Sequence, residues 1–395
     1  MAFSSTSRVC GVICEYNPFH KGHAYQLQMA RELSGAQVLV CVMSGPFTQR
    51  GDAAILSPGL RAEMALSCGA DVVVELPAAY AVREAEFFAL GGVSILEALK
   101  ADCISFGCEN EDLISLQQAA MLLEKPTDAF QQALRSGLKK GQSHAKAQGS
   151  ALQDCLDHVK GGVVSAPNNV LAICYLRAML RINSAMVPVP VKRLGDYHDT
   201  GFKEGFASAT AVREAIRRGN WHQMDKMIPE DALPLLLKAL EDGAVHRPEA
   251  LDMLLREKLR HLNEDSLLQF PNVSEGLEHR ITRLSPMHAS RQSLLAALKT
   301  KRYTHARLNR LLTHILLDMT SSCLNQCNPQ SFRLLGFRPH ARSYLSSLPK
   351  GLLYTKAARQ AKDASFLLDM AAYDFWSMGT GLPLGEGYRQ KISIT

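Results

Sequence analysis

The chain has 395 residues, 47% hydrophobic and 21% charged, with a formal net charge of +6, which is enough apolar material for more than one core. Its ten cysteines are scattered, several inside apolar runs (Cys41, Cys68, Cys103, Cys174), which excludes a disulfide framework and suggests buried thiols in a reducing compartment. Residues Met1 to Arg8 lack the apolar centre of a signal peptide and no stretch is long enough to cross a bilayer, so the expected location is the cytoplasm, with no membrane partner.

In chain order, Val9 to Cys14 is a short apolar run expected to be a strand buried on both faces. Asn17-Pro18 marks a turn, and a helical pattern follows from His23 to about Leu33. Further strands are expected at 38–43, 72–75, 103–106 and 187–191, the last with prolines that suit an edge or a strand end. Helices are expected over 59–68, with Ser57 as cap and Pro58 in the first turn, and over 84–100. This alternation predicts an α/β fold, a Rossmann-like parallel sheet with right-handed crossovers. Residues 108–165 read as a helical insertion, and beyond residue 220 strand signals nearly vanish. The expected division is therefore 1–220 for the α/β domain and 221–395 for a mostly helical C-terminal domain.

Ligands in such sheets bind beyond the carboxyl ends of the strands. His20-Lys21-Gly22-His23 lies at one such end, with two histidines three apart at the opening of a helix. Helix N-termini favour anions, above all phosphate, and Gly22 offers no Cβ to keep a ligand away. Lys21 faces either solvent or a phosphate. Cys323 and Cys327 have no second pair at zinc spacing, so no metal site is expected in the protein itself.

His20 to His23 fits the HxGH signature of the nucleotidyltransferase superfamily, and the longer EYNPFHKGH from Glu15 to His23 resembles the bacterial tRNA(Met) cytidine acetate ligases. That resemblance implies ATP-dependent activation of acetate as acetyl-adenylate, then acetyl transfer to the wobble cytidine of elongator tRNA(Met). It implies His20 and His23 as catalytic residues that meet charge building on the phosphoryl oxygens. It further implies ATP contacts at Val12, Glu15, Tyr16, Asn17, Phe19, His20, Gly22 and His23, and at Gly107 in an FGxE-like segment. Ser165 to Leu171 resembles a segment whose Asn contacts ATP, here Asn168, with Asn169 as the alternative; Lys192-Arg193 supplies Arg193. Phe206 to Arg213 resembles a helix start near the β- and γ-phosphates, where Ser208 and Thr210 donate to phosphate oxygens and Arg213 holds the leaving pyrophosphate. Mg²⁺ bridging the phosphates is expected with ATP. The Gly-rich loop 43–52 matches a family segment, and its Gln49, Arg50 or Asp52 is expected to contact the acyl group or the cytidine.

Residues 301–350 hold eight Lys and Arg against the single acid Asp318, more than the whole excess of the chain, with aromatics interleaved. This predicts tRNA contact through Lys301, Arg302, Arg307, Arg310 and Arg338. Two other functions share the first motif: an adenylyltransferase acting on a small phosphorylated cofactor, and a non-catalytic RNA-binding protein.

Overall fold

Strand β1 (Val9–Cys14) is buried along its whole length because both faces of the sheet it centres are covered. In the computed structural model, which describes residues 8–109, 112–142, 144–156, 166–193, 207–301, 303–357, 360 and 363–395, β1 runs parallel to β2 (Val38–Ser44) on one side. On its other side it pairs parallel with β4 (Cys103–Cys108). With β3 (Val72–Leu76) beside β2 and β5 (Val187–Lys192) beside β4, the parallel strands take the order β5-β4-β1-β2-β3. The order reverses between β1 and β4, and the crevice at their carboxyl ends is the topological switch point. β5 is the edge strand, where Pro188 and Pro190 are tolerated.

The period of two in a strand sorts these residues onto opposite faces. Ile13, Val40, Val42, Val72 and Val74 face one core, while Val12, Cys14, Cys41, Met43 and Val73 face the other. Helices α1 (Lys21–Ser34), α2 (Pro58–Ser67) and α9 (Ala209–Arg217) cover the second face. The short α3 (Ala78–Ala81) and α4 (Ala85–Ala98) follow β3, and α4 covers the first face. As expected, Ser57 caps α2, its hydroxyl accepting from the Leu60 amide, with Pro58 in the first turn. Among the described residues, three helices lie between β4 and the long helix before β5: α5 (Leu113–Glu124), α6 (Asp128–Lys139) and α7 (His144–Cys155); α8 (Pro167–Arg181) then packs on α4. All ten cysteines are free; Cys41 and Cys103 are buried, and Cys68 and Cys174 are partly exposed.

Beyond residue 220 helices dominate: α10 (Met224–Met227), α11 (Leu233–Glu241), α12 (Asp252–His261), α13 (Glu264–Leu267), α14 (Leu277–Leu284), α15 (Arg291–Leu298), α16 (His305–Leu316) and α17 (Ser321–Gln326). Three strands also occur here among the described residues. β6 (Phe332–Phe337) pairs antiparallel with β3, so this part of the chain extends the same sheet. After α18 (Arg342–Ser347) comes β7 (Leu353–Tyr354), beside β6. Helices α19 (Ala364–Met378) and α20 (Glu386–Arg389) precede β8 (Ser393–Ile394), which also pairs with β6. The pattern of β6 is hidden by Arg333, whose Nε lies 3.1 Å from Glu75 Oε2 in the interior, where Tyr373 also donates to that carboxylate. A buried charge survives there because it is paired. No helix among the described residues is long and apolar enough to cross a membrane.

Candidate active site

The turn after β1 is held from behind by Arg61, whose side chain is fully buried on α2. Its guanidinium donates to the carbonyls of Glu15, Ser44, Gly45 and Leu56, so the carboxyl ends of β1 and β2 are fixed through backbone oxygens. Tyr16 takes φ 46°, and the Asn17 side chain accepts from the Ile55 amide at 2.8 Å. This staged reversal delivers His20 to the first position before α1.

His20 is the N-cap of α1, which starts at Lys21 rather than at His23. The Gly22 amide donates to His20 Nδ1 at 3.1 Å and the His20 amide donates to His23 Nδ1 at 3.3 Å, a capping box built from two imidazoles. The helix end thus directs two amides at rings instead of leaving them open for an anion. With each Nδ1 accepting, the neutral rings carry their protons on Nε2. The rings stack with centroids 3.7 Å apart, and Tyr16 (4.7 Å) and Phe19 (5.6 Å) pack against His23. Burial, then Arg193 and Arg213, pushes His20 down to about 3; burial, then His20 and Arg193, holds His23 well below the usual histidine range. Both are therefore neutral donors at physiological pH. Gly22 is required for a reason besides ligand approach: a Cβ there would lie 2.9 Å from the His20 ring.

The two histidines open onto a cleft of ≈ 650 Å³. One wall is the end of β4 with the start of α8. Gly107 and Asn168 line it, with Arg193 at the end of β5. Glu109, overlooked as a working residue in the sequence, orders this wall: its carboxylate accepts from the Asn168 side chain (2.6 Å) and from the Asn168 and Asn169 amides. This settles the geometry of the pair, since Asn168 lines the cleft while Asn169 is fully buried and accepts from the Glu109 amide. Burial lowers the Arg193 pKa, with Glu109 acting against it.

The second wall is α9. Ser208 caps it, accepting from the Ala211 amide, and Thr210 accepts from Arg213 Nη2 at 3.1 Å. Arg213 Nη1 donates to the Asn17 carbonyl at 2.6 Å, tying α9 to the histidine turn across the cleft mouth. The third wall is the loop after β2. The Gln49 amide donates to Glu15 Oε1 at 2.6 Å, and burial raises the Glu15 pKa against the pull of that bond. Arg50 and Asp52 are exposed on the same wall. The loop is fixed by residues of the C-terminal half. Asn309 donates to Arg50 O and Asp52 Oδ1, while Arg291 and Thr313 donate to Gly51 O.

Val12 and Phe19 do not line the cleft; both are fully buried in the core beneath it, and the Tyr16 hydroxyl meets Cys41 Sγ at 3.5 Å in the same layer. Lys21 does not line the cleft: its Nζ donates to the Asp225 carbonyl at 2.8 Å in a solvent-exposed bond. Arg302 lies outside the described residues, as do Ser165 and Phe206 of the matched segments. Lys301 is exposed, Arg307 donates to Asn272 O at 2.8 Å, and Arg310 packs beside Gly51. Arg338 is not brought together with them. It follows β6 at the amino-terminal end of β3, away from the cleft, and donates to Ser67 O at 3.3 Å. Arg333 belongs to the interior ion pair, so the basic segment is less of a continuous face than its composition suggests.

A parallel sheet in this order, with a His-x-Gly-His cap at its switch point, defines a nucleotidyltransferase, and residues 7–386 match the family model described as HIGH nucleotidyl transferase. Curated relatives narrow this. The chain is 38% identical to the tRNA(Met) cytidine acetate ligase of Bacillus subtilis (strain 168), covering 98% of this chain and 95% of that one. It is 35% identical to the enzyme of that name from Thermoanaerobacter sp. (strain X514), covering 94% and 95%. The chain belongs to the tRNA(Met) cytidine acetate ligase family. Among solved structures it is similar to Thermotoga maritima TmcAL bound with alpha-thio ATP, with TM-score 0.89, 31% identity, and 98% and 99% of the two chains covered. The apo form of that protein gives TM-score 0.87 at 32% identity, covering 97% of this chain and 96% of that one.

Proposed function

We propose that this chain activates acetate with ATP and transfers the acetyl group to the wobble cytidine of elongator tRNA(Met), forming N4-acetylcytidine. The observation that carries this reading is the pair of neutral imidazoles, each with Nδ1 tied to a backbone amide and Nε2–H left to donate at the switch-point cleft. ATP lies along that cleft, its phosphates between the histidine turn and α9, and its nucleoside towards Gly107, Asn168 and Arg193. Relatives bearing this enzyme name, and a relative holding an ATP analogue, support the assignment.

The acetate oxygen attacks the α-phosphorus in line, the bond to the bridging oxygen breaks, and pyrophosphate leaves. Negative charge grows on the phosphoryl oxygens as this happens. The Nε2–H donors of His20 and His23 meet it without prior reorganisation, and Ser208, Thr210 and Arg213 receive the leaving group. The cytidine N4 amine then attacks the acetyl carbonyl; N4 loses a proton and AMP departs. Mg²⁺ would neutralise the phosphates while retaining much of its water. The Asp52 carboxylate, exposed on the loop wall, is the donor nearest in kind to its needs, and among the described residues no group of three acidic, His or Cys side chains forms a protein cage.

Pyrophosphate release measured with ATP, with and without acetate and tRNA, tests the assignment. Release that requires acetate, together with acetylated tRNA, is the expected result. Release that requires instead a phosphorylated cofactor assigns an adenylyltransferase, and RNA binding without any release assigns a binding protein.

A further inference from the structure

Next to the loop wall of the cleft, outside the ATP region, contacts join two distant parts of the chain into one rim. The Gln49 side chain donates to the Arg83 carbonyl at 2.7 Å. The Arg83 guanidinium carbon sits over Phe87, 3.4 Å from the ring centroid, and Phe87 is 37% exposed. Glu84 accepts from the Asn272 side chain, whose backbone carbonyl accepts in turn from Arg307. Arg310, one turn along α16 from Arg307, packs its backbone against Gly51, so closely that a Cβ on Gly51 would lie 2.8 Å from Arg310 Cα. His314, the next residue on that stripe, is 2.6 Å from the Val82 carbonyl through Nε2 and closes the rim.

The charges on this rim do not balance. Burial lowers the pKa of both Arg83 and Arg310; Glu84 acts against this at each, while Arg50 and Arg307 push Arg310 further down. The Nε atoms of Arg83, Arg307 and Arg310 are buried without a hydrogen-bond partner among the described residues. The guanidiniums of Arg50, Arg83, Arg307 and Arg310 outnumber the carboxylates beside them, Glu84, Asp52 and the buried Glu15, which favours a polyanion. The Arg83–Phe87 pair adds a surface on which an unpaired base stacks, while the Tyr303 ring under Arg307 is buried and offers none. Phosphates alternating with planar rings describe a single-stranded nucleic acid better than an acidic peptide.

We propose that this rim is where the substrate RNA strand enters the cleft: Arg83, Arg307 and Arg310 take its phosphates, and the Arg83–Phe87 pair takes a base next to the one that reacts. A cytidine cannot present its amine to an adenylate while stacked in a helix, and a platform for its neighbour holds the strand open. The proposal rests on the acetyl-transfer reading and deepens it.

The test measures binding of an elongator tRNA(Met) transcript by the full chain across a salt series, with alpha-thio ATP affinity as the control for the cleft. Arg83→Ala and Arg310→Ala are each expected to weaken RNA binding about tenfold and to flatten the salt dependence by about one phosphate contact, with Arg83→Lys keeping the slope. Phe87→Ala is expected to weaken binding by roughly fivefold or more with the slope unchanged, because stacking carries no counterion release. RNA affinities within twofold of the parent in all three alanine variants overturn the rim. Loss in the arginine variants alone, with Phe87→Ala binding as the parent does, overturns the stacking platform. A parent chain that binds alpha-thio ATP but no RNA overturns the transfer reading beneath both. Should Arg310→Ala fail to fold, the exposed Phe87 and half-buried Arg83 carry the test.

Discussion

Replacing Gly22 by alanine separates the architecture of the histidine turn from the stability of the fold. Gly22 is the second residue of α1, and its φ is not in the left-handed region, so alanine meets no backbone strain there. Alanine gains about 0.8–1 kcal/mol of helix propensity over glycine. The new methyl would lie 2.9 Å from His20 Cε1 and 3.1 Å from Nδ1, well inside ordinary contact. The ring must move by about half an ångström or swing away, releasing the cap on the Gly22 amide at a cost of ~1 kcal/mol. The two effects nearly cancel, and the thermal midpoint is expected to stay within about 3 °C. The chemistry is less forgiving. His23 is stacked on His20 at 3.7 Å and follows its motion. Misplacing catalytic donors by a fraction of an ångström costs roughly ten- to a hundredfold in rate. The assay is acetate-dependent pyrophosphate release at saturating ATP, alongside a melting curve. Turnover within threefold of the parent, at an unchanged melting temperature, would refute the idea that the His20 ring must sit where Gly22 allows it.

His23→Ala is expected to keep fold and RNA binding and to lose acetate activation by about a hundredfold or more, since a positioned donor is removed outright; near-normal turnover defeats the catalytic role. Arg61→Met leaves four carbonyls, three at strand ends and one before α2, without their buried donor, which should cost about 3–5 kcal/mol and appear as a lower urea midpoint; an unchanged midpoint counts against the staple. Acid should weaken the fold. His246 and His314 are buried with pKa values lowered to about 4 by desolvation. Between that value and the unfolded 6.5 the unfolded chain binds more protons, so stability falls as pH drops below about 6.5 and is intact above it. Each contributes on the order of 3 kcal/mol over that window; urea unfolding that is equally stable at pH 7.5 and pH 4.5 contradicts this.

What could be read from the sequence was what depends on neighbours in the chain. The five parallel strands declare themselves through short, mostly apolar runs between turn signals, and Ser57-Pro58 announces α2 through local capping chemistry. The histidine turn was legible because its working parts lie within four consecutive residues. Features that need a partner far along the chain were not. β6 carries an arginine whose burial makes sense only beside Glu75, and Glu109 reads as the residue after a strand until Asn168 and Asn169 are seen at its carboxylate. Lys21 was ambiguous for the same reason: nothing near it in sequence points to the Asp225 carbonyl. The reversed direction of β6 also carried Arg338 to the far end of the sheet, which no count of basic residues could have foreseen.

The strand contributed by Phe332–Phe337 has a bearing on how the molecule can be divided. A fragment ending near residue 220 would leave the outer side of β3 without its hydrogen-bonding neighbour, and Glu75 without the guanidinium that offsets its burial. Such a bare margin, apolar on both sides, is a template on which further copies add and precipitate. The half that carries the parallel strands is thus expected to be recovered in dispersed form only when the distal third of the polypeptide is present to cover it.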